Sequence, residues 1–150
     1  LNIFETPSAW EIEDLKSTDD WCFEIDESDG ILLRDSIKSL FEQDRDLFSY
    51  SPNEFNFGSS WEHIEKAVAE AHHGKGISIV RGLPREDLSQ DEFRLLSWAI
   101  GLKAGVARPQ GLASQYISAV QDAGTDYRAA NEKGYSSNAE LDFHVDVADL

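Results

Sequence analysis

Residues 76–84 read Gly-Ile-Ser-Ile-Val-Arg-Gly-Leu-Pro, and this stretch sets the expected fold. The segment from Gly76 to Val80 is short and rich in β-branched side chains, which favours a β-strand. Gly82, Leu83 and Pro84 follow as a turn signal, because glycine and proline interrupt regular structure. The sequence therefore predicts a strand that runs into a turn.

A capped helix is predicted on each side of this strand. Ser59 with Glu62 and Ser89 with Glu92 both match the capping-box pattern, in which the two side chains bond each other's backbone N–H groups. Apolar residues follow each cap at helical spacing: Trp61, Ile64, Val68 and Ala71 in the first helix, and Phe93, Leu96 and Ile100 in the second. Gly74 and Gly101 are the predicted ends.

A third amphipathic helix is predicted upstream. Its apolar residues recur mostly every three or four positions, which places them on one helix face. They are Leu33, Ile37, Leu40, Phe41, Leu47 and Phe48.

The pattern changes after Gly101. We expect a strand from Tyr116 to Val120, a polar loop from Asp122 to Lys133 and a second strand from Leu141 to Val147. Helices come first and strands accumulate towards the end of the chain. The sequence therefore predicts an α+β fold.

The charge balance argues against a nucleic-acid partner. The 150 residues include 13 Lys and Arg and 29 Asp and Glu, which gives a formal charge of −16. Residues 1–60 hold 15 of the acids and only 4 of the bases. A phosphate backbone would be repelled over most of this surface.

Cysteine usage and hydropathy point to a cytoplasmic protein with no membrane partner. Cys22 is the single cysteine, so an internal disulfide is excluded and a reducing compartment fits best. No apolar run approaches the roughly 18–20 residues that a membrane helix requires. The acidic start also differs from a signal peptide.

The sequence Phe143-His144-Val145-Asp146-Val147 is the sharpest chemical signal. On a strand, residues two positions apart point to the same side, so His144 and Asp146 can converge on one metal ion. One imidazole and one carboxylate are two members of the two-His-one-carboxylate triad that binds iron(II). Taken alone, this spacing is more typical of an ordinary surface His–Asp pair than of a metal site.

The chain from Gly76 onward resembles the taurine dioxygenase-like (TauD/TfdA) family of iron(II)- and 2-oxoglutarate-dependent oxygenases. The likeness begins at the Arg81-Gly82-Leu83-Pro84 turn and continues through Trp98-Ala99-Ile100-Gly101 and Val120-Gln121-Asp122-Ala123-Gly124 to Glu140–Asp146. Ser8-Ala9-Trp10 matches a segment that opens several members, so the resemblance spans nearly the whole chain.

This resemblance implies a double-stranded β-helix core, a clavaminate synthase-like jelly roll, preceded by the N-terminal helices. It also implies that His144 and Asp146 are the first two iron(II) ligands and that 2-oxoglutarate and O2 are cosubstrates. Arg81 is expected to belong to a structural turn, since the family's 2-oxoglutarate-binding arginine lies far downstream. His63, His72 and His73 are excluded as ligands.

The resemblance further suggests residues that line the pocket. Gln110 is a candidate for substrate binding, with a backbone contact in its own loop as the equal alternative. Asn138 and Leu141 lie where related enzymes bind 2-oxoglutarate or substrate. For Asn138, the alternative is a turn residue that hydrogen-bonds its own backbone.

The distal His ligand and the 2-oxoglutarate arginine have no counterpart within residues 1–150. We therefore expect this chain to be the N-terminal portion of a single, longer oxygenase domain. Its expected reaction is hydroxylation of a small polar substrate, an amino acid or related zwitterion, because a charge of −16 disfavours a strongly anionic substrate. The sequence leaves open whether the protein forms a homo-oligomer.

Two other functions compete with the oxygenase. One is a non-catalytic binding or scaffold domain that retains only the front half of the fold, and the missing third ligand favours it. The other is a cupin-like isomerase or a protein that holds a different divalent metal. The His/Asp pair fits the latter, but the longer resemblance does not.

Overall fold

The computed structural model describes residues 6–109 and 115–117. Contacts divide the chain into two units, Leu1–Ala107 and Arg108–Leu150. The first unit contains strands β1 (Cys22–Glu24) and β2 (Ile79–Arg81) and helices α1 (Glu27–Leu40), α2 (Ser60–His73) and α3 (Gln90–Ala104). Of the second unit, only a few residues are described.

Strands β1 and β2 pair in parallel. Cys22 lies opposite Ile79 and Glu24 lies opposite Arg81. Parallel strands need a long crossover connection, and here that connection contains α1 and α2. The strand predicted at Gly76 to Val80 is confirmed as an element, although it begins at Ile79 and extends to Arg81. β1 was not predicted, because three residues are too few to show a strand period.

Helix α1 starts earlier and ends earlier than its apolar pattern predicts. Asp26 caps it by accepting a hydrogen bond of 2.8 Å from the Asp29 N–H. Phe41 is already extended, and Leu47–Ser49 forms a separate 3-10 turn. The prediction that one helix carries the whole stripe to Phe48 is wrong, because Asp46 caps this new turn at the Phe48 N–H.

Helix α2 is confirmed, but its predicted cap is wrong. Ser59 adopts a helical backbone conformation and its hydroxyl donates to the Asp29 carboxylate instead of capping α2. The end at Gly74 is confirmed by its N–H bond of 2.9 Å to the Glu70 carbonyl. The fully buried residues of the helix are Ser60, Ile64 and Ala67, rather than Trp61, Val68 and Ala71.

Helix α3 has the predicted capping box and a later end. The Ser89 N–H donates to the Glu92 carboxylate at 2.8 Å, and the Glu92 N–H donates to the Ser89 hydroxyl at 3.3 Å. The predicted end at Gly101 is wrong, because the helix continues to Ala104 and Gly105 follows it. One glycine inside a helix costs only about 1 kcal/mol, which neighbouring packing offsets.

The core lies where the three helices meet. Its most buried side chains, each 2% exposed or less, come from all of them: Leu33 and Ile37 of α1, Ile64 and Ala67 of α2, and Leu95, Leu96 and Ala99 of α3. Tyr50, Phe55 and Phe57, from the segment that connects α1 to α2, are also buried and extend this core. No helix within the described residues has the length and apolar character needed to span a bilayer.

The later predicted elements fall mostly outside the described residues. Of the strand predicted from Tyr116 to Val120, only Tyr116 and Ile117 are described, and neither is assigned to a strand. The loop at 122–133 and the strand from Leu141 to Val147 lie outside. The jelly-roll core therefore stays a prediction.

Candidate functional site

The site residues predicted from the sequence lie outside the part of the chain that the structure describes. They are Gln110, Asn138, Leu141, His144 and Asp146. Their mutual geometry is consequently not described, and their roles stay predictions. The described residues show how the turn before this region is held and where cavities and charged groups lie in the first unit.

The turn after β2 is a tightly packed junction. The Ile25 N–H donates to the Arg81 carbonyl at 3.0 Å, which extends the strand pairing by one bond. Gly82 then adopts a φ of 81°, and a side chain at this position would overlap the Ile25 carbonyl oxygen. Gly30 of α1 faces the Gly82 carbonyl so closely that an added Cβ would lie 3.2 Å from it. These contacts support the structural interpretation of the Arg81 turn.

Arg34, which the sequence did not single out, is a charged group beside this junction. It lines a cavity of about 260 Å³ together with Gly82 and Pro84. Its guanidinium bonds Asp35 at 2.8–2.9 Å and Asp87 at 3.5 Å, and the Asp35 hydrogen bond raises the pKa of Arg34. Because Asp87 follows the turn, its ion pair with Arg34 connects α1 to that segment.

A second cavity, of about 220 Å³, lies between the end of α1 and the start of α3. Arg45 forms one wall with its guanidinium 3.7 Å from the Tyr50 ring centroid. The same group bonds Glu54 at 2.7 Å and Ser49 at 3.2 Å. Glu54 raises the pKa of Arg45 through this bond. Because its donors are already engaged, Arg45 stabilises the α1–α2 connection rather than presenting a vacant cation.

The carboxylates with perturbed pKa values are capping groups. Asp26, Glu54 and Glu92 all have a lowered pKa, and in each the largest cause is a backbone N–H that bonds the ionised carboxylate. A carboxylate that is held ionised in this way is suited to structure, whereas a general acid requires a raised pKa. These three groups therefore stabilise turns and helix starts.

The three histidines of the described region lie on α2. His63 is half-buried, whereas His72 and His73 are exposed in the last turn with ring centroids 6.0 Å apart. Within residues 6–109 and 115–117, no group of three or more His, Cys, Asp or Glu side chains is arranged to hold a metal ion.

Comparison with characterised proteins identifies one distant relative of this chain. The chain is similar to a synthase. It is 22% identical over 144 residues to FR-33289 synthase of Streptomyces rubellomurinus. This match covers 95% of the present chain and 42% of the synthase, so the chain spans about two-fifths of that protein's length. No family model matches the chain.

The match is consistent with a distant relationship between this chain and an enzyme family. A similarity that extends over almost the whole chain involves both the described helical unit and much of the region beyond it. Its level, 22% identity, supports a distant relationship and leaves the reaction and the substrate to be proposed from the residues themselves.

Proposed function

We propose that the protein carrying this chain is a non-haem iron(II)- and 2-oxoglutarate-dependent dioxygenase. The observation that carries the proposal is the pair His144 and Asp146, two residues apart in a segment of strand-forming residues. Both side chains of such a pair point to one side of a strand, where they supply two of the three ligands of an iron(II) site.

The TauD/TfdA resemblance and the synthase match support this proposal. The resemblance includes the Arg81–Pro84 turn, which has a structural role in the described region. The synthase match is to a protein whose name describes biosynthesis. The double-stranded β-helix core, the distal His and the 2-oxoglutarate arginine are part of the same proposal.

The donor set fits the proposed metal. An imidazole nitrogen and a carboxylate oxygen suit iron(II) and leave coordination positions for other groups. When bound, the metal would supply the oxidative chemistry in which 2-oxoglutarate and O2 become succinate and CO2 while a substrate C–H bond is hydroxylated. The protein's own part is to hold His144 and Asp146 in place, to orient the substrate and to exclude water.

Gln110, Asn138 and Leu141 are proposed to line the adjacent pocket. The Gln110 amide can both donate to and accept from a polar substrate group, which suits an amino acid or related zwitterion. Asn138 and Leu141 are proposed to contact 2-oxoglutarate or the substrate. The reducing cytoplasm is the proposed compartment, because it keeps iron in the ferrous state and Cys22 as a thiol.

The first test compares His144→Ala with His63→Ala in the complete protein. Loss of one of three protein ligands should reduce bound iron and bring succinate formation close to background, whereas loss of a histidine on α2 should change neither. Iron content by elemental analysis and succinate by chromatography are the measurements. Wild-type iron content and oxygen consumption in His144→Ala would show that the iron assignment is wrong and would favour a scaffold domain.

The second test concerns Gln110. The Gln110→Ala variant should keep its iron and its substrate-independent consumption of 2-oxoglutarate, because the amide is not a metal ligand in this proposal. With a panel of amino acids, its KM should rise or its hydroxylation should fall by about tenfold, the value of one lost polar contact to substrate. Loss of iron in Gln110→Ala would instead give this residue a role in the metal site.

A further inference from the structure

A third cavity, of about 320 Å³, lies between α2 and α3 in the first unit. We call it the α2–α3 cleft. Its walls come from Trp61, Val68, Ala69, His72 and His73 of α2 and from Lys103 of α3. None of these residues belongs to the proposed oxygenase site. The volume lies at the lower end of the about 300–1,000 Å³ typical of small-molecule sites.

Lys103 gives the cleft a cation that is positioned by aromatic rings. Its Nζ lies 4.7 Å from the Trp61 ring centroid and 5.6 Å from that of Phe57, and these two rings are themselves 5.6 Å apart. Among the described residues, no carboxylate oxygen lies within 4.0 Å of this Nζ. An aromatic face attracts the ammonium but leaves its N–H groups able to donate to an anion.

The two exposed histidines complete the polar rim. His72 and His73 occupy the last turn of α2, where the helix dipole favours positive charge. Each imidazole can donate a hydrogen bond. The charged groups that line the cleft with them are Glu65 of α2 and Lys103 of α3. Glu65 is the only carboxylate in the lining, in a chain with 29 acids.

The remaining wall is apolar. Val68 and Ala69 continue from the Trp61 ring along the same side of α2. An indole ring and small aliphatic side chains provide a surface for an apolar body of similar width. The cleft therefore combines a cationic rim with an apolar wall.

We propose that the α2–α3 cleft binds a small carboxylic acid with an apolar body. Its carboxylate accepts hydrogen bonds from Lys103 and the histidine rim, and its body packs on Trp61. This site is independent of the proposed iron chemistry.

Phenylacetate is a suitable probe, with phenylacetamide as its neutral counterpart. We expect saturable binding of phenylacetate with Kd of about 1 mM or tighter, measured by calorimetry on the complete protein. The amide should bind about tenfold more weakly, because it lacks the charge that Lys103 recognises. Inorganic phosphate should not compete effectively, since it cannot use the apolar wall.

Substitutions distinguish loss of the Lys103 charge from loss of folding. Lys103→Gln should weaken phenylacetate binding by about tenfold, whereas Lys103→Arg, which keeps the charge, should restore it. Lys66→Gln removes an exposed lysine of α2 outside the cleft and should have no effect. The double variant His72→Ala/His73→Ala should weaken phenylacetate binding, because it removes the hydrogen-bond donors of the histidine rim. Circular dichroism checks that each variant is folded.

Several results would overturn the proposal. They are the absence of saturable binding, equal affinity for acid and amide, equal affinity for phosphate, or unchanged binding in Lys103→Gln. If Lys103→Gln loses its helical circular dichroism signal, the variant does not fold and cannot test the cation. The comparison of phenylacetate with phenylacetamide on the wild-type protein then decides the proposal.

Discussion

Gly82 occupies a position that a side chain cannot share. Its φ of 81° lies in the left-handed region, and the Ile25 carbonyl fills the space where a Cβ would project. Both costs act together at this residue, because the backbone after β2 passes close to Ile25 and to Gly30 of α1. Gly101 contrasts with it, since it lies within α3 and an added Cβ there meets no atom within 4 Å.

Gly82→Ala should therefore destabilise the protein, and Gly101→Ala should not. The first substitution should lower the free energy of unfolding by about 2 kcal/mol or more, through left-handed backbone strain and overlap with Ile25. The second should raise it by about 0.5–1 kcal/mol, because alanine favours a helix more than glycine does. Urea denaturation measures both values. Equal changes in the two variants would contradict the geometry of the turn.

At the scale of elements, the carboxylate of Glu92 makes the stability of the α3 N-terminus depend on pH. The Ser89 N–H bonds the ionised Glu92 side chain and lowers its pKa below the ordinary value of 4.5. A carboxyl group with a lowered pKa in the folded state stabilises the protein above its unfolded pKa. This stabilisation is lost as the pH falls through the folded-state value.

Glu92→Gln should consequently destabilise the protein at neutral pH and make little difference in strong acid. The amide retains an oxygen that can accept from Ser89, so the substitution removes mainly the charge. The difference in free energy of unfolding from wild type should be complete above the unfolded-state pKa of the carboxyl group and should disappear as the pH falls through its lower folded-state pKa. Glu86→Gln, in the exposed loop before α3, is the matched control. A constant Glu92→Gln effect at all pH values would contradict an electrostatic origin.

Local signals account for the elements that were predicted correctly. The start of α3 was predictable because Ser89 and Glu92 bond within a single turn of chain. The same letters at Ser59 and Glu62 failed, because Asp29 of a different helix takes the Ser59 hydroxyl. Strand β1 could not be predicted at all, since its three residues become a strand only by pairing with β2.

The candidate site depends on a different kind of inference. The spacing of His144 and Asp146 predicts that both lie on one side of a strand, because alternate residues of a strand share a side. A third ligand and a pocket require contacts between segments far apart in sequence, which no local pattern contains. The α2–α3 cleft shows the same limit, since Lys103 and His72 come together only through helix packing.

At the scale of the whole molecule, the charge of −16 opposes folding. Compact structure brings like charges closer than in the unfolded chain, and mobile ions weaken this repulsion. The ion pairs of the described residues are mostly exposed on at least one side, and such pairs contribute about 1 kcal/mol or less each. Salt weakens both the repulsion among the excess acids and the attraction within these ion pairs. The relief of repulsion should be the larger effect, because each exposed pair contributes so little.

We expect added NaCl to stabilise the protein at neutral pH. Raising the ionic strength from about 0.01 M to about 0.1 M shortens the Debye length from about 30 Å to about 10 Å and should raise the thermal midpoint. The same addition near pH 4.4, the isoelectric point, should have a much smaller effect. Scanning calorimetry at the two pH values makes the comparison. A lower thermal midpoint with salt at neutral pH would mean that the ion pairs dominate.

The parallel pairing of β1 with β2 also matters during synthesis. Cys22 and Ile79 are 57 positions apart, and the two strands become partners only after both have left the ribosome. At about 5–20 residues per second, β1 waits roughly 3 to 11 seconds before β2 has been made. During that interval α1 also lacks the Gly82 turn against which Gly30 packs. Helix α3, which contacts α1, is made later still, so the apolar face of α1 at Leu33 and Ile37 stays incompletely covered for seconds, long enough for a chaperone to bind it.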